Sequence, residues 1–325
     1  MAAAACWPAS SSRAAAVGTI HEFPVPAAGG GALAEQSAIA AGPDGNRWFT
    51  DPNKSAVGRI TPTGAVTEFS VPRVGGALAQ PTGIVAGSDG NLWFTDPNKS
   101  ALGRITPTGG VTEFLVPRVG GGLAQPTGIT AGPDGNLWFT DPNQSAVGRI
   151  TLTGAVTEFP VPPTTGGVLP QPTGITAGPD GNLWITDPNQ SAVGRITPTG
   201  AIIEYPVPPT TTGARAHPTG ITVGPDGDLW FTDPNTIGRI TPTGAVTAFP
   251  MSPGANSALV HQTGITAGPD GNLWFTAANS DVVGQIGAGV PSAVTAPPAV
   301  IGSEPVVRSR AALQGFPLGR VSVRR

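Results

Sequence analysis

The sequence predicts an all-β fold, a six-bladed β-propeller, on three observations. Six tryptophans, Trp48, Trp93, Trp138, Trp184, Trp230 and Trp274, recur at intervals of 44 to 46 residues, the period of a propeller blade. Each sits in nearly the same phrase, G-I-T-A-G-P-D-G-N-L-W-F-T-D-P-N, followed by S-A-V-G-R-I-T-P-T-G-A-V-T-E-F-P-V-P. The 325 residues include 47 glycines and 37 prolines but only 11% charged residues. That excludes long helices, because proline breaks helix interiors and glycine weakens them. The same composition without a period would read as low-complexity disorder.

Turn chemistry divides each repeat into four short strands, here called a to d. In the third repeat, a is Gly128 to Ala131, b is Leu137 to Thr140, c is Val147 to Thr151 and d is Ala155 to Phe159. Pro133-Asp134-Gly135 turns a into b, since Asp tolerates left-handed geometry and Gly supplies positive φ without steric cost. Thr153-Gly154 turns c into d in the same way. The central repeats leave no ten-residue window free of Gly and Pro, so no helical stripe has room to form.

The ends decide the blade count. Six d-type segments match six W-F-T-type units, but the first, Thr19 to Pro26 with Glu22-Phe23, precedes any W-F-T unit. The last such unit, at Trp274, has no d segment after it. The N-terminal strand is therefore expected to complete the final blade and remove an exposed sheet edge. Residues 17–290 form the propeller in this reading, 1–16 a flexible lead and 291–325 a Pro/Ala-rich tail ending in arginines and lacking order of its own. Seven blades is the alternative count, with the extra blade assembled from flanks that carry none of the repeat's words.

A net charge of -3 offers no electrostatic footprint for nucleic acid. One cysteine, Cys6, cannot form an intrachain disulfide or a cysteine zinc site. No apolar run is long enough to span a membrane. The alanine- and serine-rich start has no solid apolar core for a secretory signal, leaving both cytoplasmic and secreted locations open. The expected state is a monomer.

Successive turns of such a blade alternate between the two faces of the disc, so the b–c turns share a face with the variable d–a loops. Binding residues gather on variable loops held by a regular scaffold, which places a small-molecule, peptide or glycan site there. Its candidates are the aspartates closing strand b, Asp51, Asp96, Asp141, Asp187 and Asp233. They read either as turn formers accepting local backbone hydrogen bonds or as ligand contacts whose mutual repulsion a divalent cation would relieve. Repetition favours the turn. His217 and His261 replace the glutamines found at Gln80, Gln125 and Gln171 and are the candidate general bases, although an exposed Gln-to-His change needs no functional reason. The tryptophans read as packing between blades, and the arginines of G-R-I (Arg59, Arg104, Arg149, Arg195, Arg239) as local partners of acidic side chains.

The repeat phrase resembles the blade sequence of the virginiamycin B lyase family and its streptogramin-lyase relatives over Thr19 to about Ile286, and more distantly NHL-type repeats. The resemblance implies a propeller of a kind whose named enzyme, a seven-bladed carbon–oxygen lyase, opens the ester of cyclic type B streptogramins by Mg²⁺-dependent elimination. It also implies a catalytic His within P-H-G-I and a Glu just after the last W-F-A. Here those positions hold Thr263, matched by Thr82, Thr127, Thr173 and Thr219 in the other repeats, and Ala278. Neither residue transfers a proton at neutral pH. The expectation is a ligand-binding or interaction scaffold of this family, without a required cofactor. The alternatives are a divergent lyase using His217 or His261 with Asp187 or Asp233, retaining Mg²⁺ and a role in antibiotic resistance, and a multivalent glycan- or peptide-binding propeller.

Overall fold

The computed structural model describes residues 38–73, 77–118, 122–163, 167–209, 213–234, 236–250, 262–277 and 283–288. They form six antiparallel sheets, five of four strands and one of three. Blade 1 comprises β1 (Ile39–Ala41), β2 (Arg47–Asp51), β3 (Ala56–Ile60) and β4 (Val66–Ser70). Blade 2 comprises β5 (Ile84–Ala86), β6 (Leu92–Asp96), β7 (Ala101–Ile105) and β8 (Val111–Leu115). Blade 3 comprises β9 (Ile129–Ala131), β10 (Leu137–Asp141), β11 (Ala146–Ile150) and β12 (Val156–Pro160). Blade 4 comprises β13 (Ile175–Ala177), β14 (Leu183–Asp187), β15 (Ala192–Ile196) and β16 (Ile202–Pro206). Blade 5 comprises β17 (Ile221–Val223), β18 (Leu229–Asp233), β19 (Thr236–Ile240) and β20 (Val246–Pro250). Blade 6 comprises β21 (Gln262–Ala267), β22 (Asn272–Ala277) and β23 (Val283–Gly287). The inner strands β1, β5, β9, β13, β17 and β21 neighbour one another in that order, as expected of blades arranged about an axis.

The ladder register explains the packing. In blade 3, Trp138 pairs with Arg149 and Phe139 with Gly148, so Trp138, Val147, Arg149 and Phe159 point to one face, by strand alternation. Leu137, Phe139, Ile150 and Val156 point to the other. Each blade's tryptophan face meets the next blade's Leu/Phe face. Trp93, Leu102 and Phe114 of blade 2 thus share a core with Leu137, Phe139 and Ile150 of blade 3. Five such cores recur around the disc. Within a blade the tryptophan stacks on the d-strand aromatic at 5.3–5.7 Å between centroids, a geometry that adds to simple burial. Gly148 is required because the Phe139 ring lies flat across it and would overlap any Cβ.

The tryptophans therefore pack between blades, as expected, with one exception. Trp274 is 37% exposed, and Val283 and Ile39 are 60% and 67% exposed. These residues border blade 6 and blade 1, and among the described residues no core bridges that boundary. Blade 6 also has three strands where the other blades have four. The expected closing strand at Thr19 to Val25 lies outside the described residues, as do the flanks from which a seventh blade would have come.

The arginines differ in part from expectation. Arg149 approaches Asp134 at 3.7 Å and Arg239 approaches Asp226 at 3.1 Å. The wider pattern is different: each guanidinium lies 5.7–6.0 Å from the tryptophan ring of its own blade, in cation–π range. Arg59, Arg149 and Arg195 also donate to the next blade's c–d turn, at Pro107, Pro198 and Pro242 carbonyls. A planar, multi-donor head can stack and reach across at once.

Candidate functional site

The loop face is built by the short word D-P-N. Its first turn closes through Ser55, Ser100, Ser145 and Ser191, all at φ of 51–53°, which leaves the preceding Asp and Asn free to reach sideways. Asp96 Oδ1 accepts the backbone N–H of Gln80 at 3.1 Å, and Asp141 Oδ1 accepts that of Gln125 at 3.1 Å. Asp187 accepts Gln171 N–H at 3.2 Å, and Asp233 accepts His217 N–H. The asparagines act in parallel: Asn98, Asn143 and Asn189 donate to the carbonyls of Leu78, Leu123 and Leu169 at 2.7–3.1 Å. Three d–a loops thus hang from two side chains of the following b–c turn, and the loop at His217 hangs from Asp233.

This arrangement places the five candidate aspartates. All are 0–2% exposed, at the ends of β2, β6, β10, β14 and β18; four accept backbone amides of the loops, and Asp51 accepts the Lys54 N–H of its own turn at 3.1 Å. The geometry is that of the turn-and-bracket role. Burial pushes the Asp96 and Asp187 carboxyls above the usual range, against the bonds from Gln80 and Gln190 N–H that favour the charged form. Among the described residues no three His, Cys, Asp or Glu side chains converge as metal ligands.

His217 is exposed, and its hydrogen bond to Asp233 runs through its backbone N–H rather than the imidazole. Asp233 also accepts the Thr236 hydroxyl at 2.8 Å. The structure thus brings His217 and Asp233 together without forming an acid–base pair. His261 and Ala278 lie outside the described residues.

Nearer the axis, hydroxyls replace carboxylates. The b-strand Thr50, Thr95 and Thr140 donate to the carbonyls of Thr82, Thr127 and Thr173 in the next blade, each at 2.7 Å. Each of these b-strand threonines has one proton, and that bond consumes it. In the pairs Thr82···Thr95 (2.9 Å) and Thr127···Thr140 (3.0 Å), the inner Thr82 and Thr127 must therefore be the donors. Their remaining lone pairs make the inner rim a hydrogen-bond acceptor. Sequence reasoning missed this ladder, although the invariant Thr of W-F-T was its signal.

Between blades 2 and 3 the loop face carries a groove of about 320 Å³ lined by Gln80, Asn98, Lys99, Ser100, Leu123 and Gln125. Amide, hydroxyl and aliphatic groups alternate along it. Lys99 turns its ammonium inward, bonding Glu113 at 2.8 Å and the Pro72 carbonyl. Leu78, Leu123 and Leu169, at equivalent positions of three loops, stand about half or more exposed along the same face.

The virginiamycin B lyase family matches the chain over residues 9–122 and 38–294. A streptogramin B lyase structure is 34% identical, with TM-score 0.67 and 78% of each chain covered. A virginiamycin B lyase from Staphylococcus aureus, solved with quinupristin as a catalytically inactive histidine-to-alanine variant, is 36% identical. It superposes with TM-score 0.68 over 79% of this chain and 81% of its own. No curated protein sequence matches. The blade phrase, the packing of successive sheets and these similarities together place the chain in the virginiamycin B lyase family.

Proposed function

We propose that this propeller binds a small molecule or peptide on its loop face and lacks the elimination chemistry of its lyase relatives. The observation that carries the reading is the inner rim. Thr82 and Thr127 stand at the repeat position where the family resemblance puts the catalytic His, and their hydroxyl protons are committed to Thr95 and Thr140. A threonine so held accepts hydrogen bonds but removes no proton from carbon at neutral pH. Losing one general acid or base costs typically about 10²–10⁴-fold in rate. The groove at Gln80, Lys99, Leu123 and Gln125 supports binding, with orienting polar groups among aliphatic ones, as small-molecule sites have.

The test is incubation with a type B streptogramin and Mg²⁺, followed by mass spectrometry and by calorimetric titration in parallel. The expected result is an intact macrocycle. Efficient ring opening, lost in a His261→Ala variant, would replace this reading with that of a divergent lyase using a relocated base. Ligand stoichiometry approaching one per blade would instead favour the multivalent reading.

A further inference from the structure

The repeats contain an internal substitution experiment. In blade 1, Lys54 Nζ lies 2.8 Å from Glu68 and 3.7 Å from Asp51. In blade 2, Lys99 Nζ lies 2.8 Å from Glu113 and 3.8 Å from Asp96. Each is an Asp–Lys–Glu triad beside the loop end of strands b and d, with the aspartate buried. In blades 3 and 4 both carboxyls remain, as Asp141 with Glu158 and Asp187 with Glu204, but the lysine is replaced by Gln144 and Gln190.

The glutamine amide takes the ammonium's place. Gln144 Nε2 lies 3.2 Å from Asp141 Oδ2, 3.4 Å from Glu158 Oε1 and 3.1 Å from the Pro117 carbonyl, just as Lys99 meets the equivalent Pro72 carbonyl. Gln190 Nε2 likewise donates to Pro162 O at 3.1 Å. The contacts are kept and the positive charge is lost. The amide, unlike the ammonium, does not neutralise the pair.

Solvent does not do it either. Glu204 is 6% exposed, and Glu204 Oε1 and Glu158 Oε2 are buried without a hydrogen-bond partner. The other charged groups on the surrounding elements are exposed: Arg118 beside Pro117 on the blade 2 exit, and Arg215, which donates to the Asn189 carbonyl. The blade 3 exit beside Pro162 carries no charge. Burial first, and the neighbouring aspartate second, push the Glu158 carboxyl up to about 7 and that of Glu204 up to about 8.

We propose that Asp141–Glu158 and Asp187–Glu204 are two built-in proton sites, each sharing one proton, whose release to solvent charges the pair and loosens the loop face of blades 3 and 4. A carboxyl raised in the folded state stabilises fully below its unfolded pKa, and that contribution is lost as pH rises through the folded value. Blades 1 and 2 carry an ammonium group at the same place.

Thermal melting of the full chain across mildly acidic to mildly alkaline pH tests the proposal. The melting temperature should fall by several degrees as pH rises from 4.5 to about 8. A Glu158→Gln/Glu204→Gln variant should be flat there, and a Gln144→Lys/Gln190→Lys variant should regain the alkaline stability. pH-difference infrared spectra should show loss of a protonated-carboxyl band in the parent that each single Glu→Gln variant reduces by about half. An unchanged slope over that range in the double Glu→Gln variant, or no protonated carboxyl at neutral pH, overturns it. The infrared reading decides even if the lysine variant fails to fold.

Discussion

Thr140 of blade 3 donates its hydroxyl to the carbonyl oxygen of Thr173 in blade 4 at 2.7 Å, and its own Oγ1 accepts the Gly128 N–H at 3.0 Å. One side chain therefore fastens its own inner strand and the next blade's. Thr140→Val keeps the shape and removes these two bonds and the one from Thr127, leaving part-buried partners unsatisfied. We expect a loss of about 1–3 kcal/mol, read from chemical denaturation midpoints, with secondary structure unchanged by circular dichroism.

Gly148 admits no side chain. Because the Phe139 ring crosses its Cα, Gly148→Ala should destabilise by about 1–3 kcal/mol or more, the usual range for overpacking. Combining it with Phe139→Leu should recover part of that loss, since the two sites share one space and their effects cannot add. Additive losses would show that the ring moves aside freely.

The boundary of blade 6 gives a third expectation. Trp274 is the one repeat tryptophan without a stacking partner among the described residues, while Glu22-Phe23 repeats the d-strand word that supplies that partner elsewhere. Deleting residues 1–26 should lower the melting temperature. Phe23→Ala should lower it less, and should red-shift fluorescence in a form where Trp274 is the sole remaining tryptophan of its class. Melting unchanged by the deletion would mean that another segment covers the edge.

Acid should act through the P-D-G-N turns. Burial pushes the Asp134 carboxyl up, but bonds from the Asn136 side chain, the Trp138 indole and the Asn136 N–H together outweigh it and hold the group below its ordinary 3.8; Asp44, Asp89 and Asp180 are lowered in the same manner. A lowered carboxyl stabilises above its unfolded pKa, and that contribution disappears as pH falls through the folded value. Melting temperature should therefore decline as pH drops below 3.8, and Asp134→Asn should flatten part of that decline.

The tryptophan period, the P-D-G turns and the strand lengths were legible because they are local: a turn residue and an alternating pattern need no partner elsewhere. Predicted strands in blade 3 differ from the observed ones by at most one residue, as in Val156–Pro160 against Ala155 to Phe159. The aspartates of D-P-N were legible as turn formers, but not as brackets, because Gln125 lies sixteen residues before Asp141 and only the sheet brings them together. The Lys99–Glu113 pair was invisible for the same reason. Its signal, Lys in two repeats and Gln in the next two at one position, becomes meaningful only once strand d is folded beside strand b. His217 drew notice as a titratable side chain, whereas its backbone makes the contact.

The double suspension of three d–a loops separates the frame from its decoration. The Asn143 and Asp141 side chains grip the loop at Leu123 and Gln125, close to where it re-enters the sheet, and the residues that vary between repeats precede that point in the sequence. Those residues read V-G-G at 74–76, V-G-G at 119–121, T-T-G at 164–166 and T-T-T at 210–212, a drift in sequence that the strands on either side do not share. Such a chain can trade one rim segment for another as a handle is changed on a tool. The propeller is in that sense a mount, with exchangeable fittings clipped at fixed points around its edge.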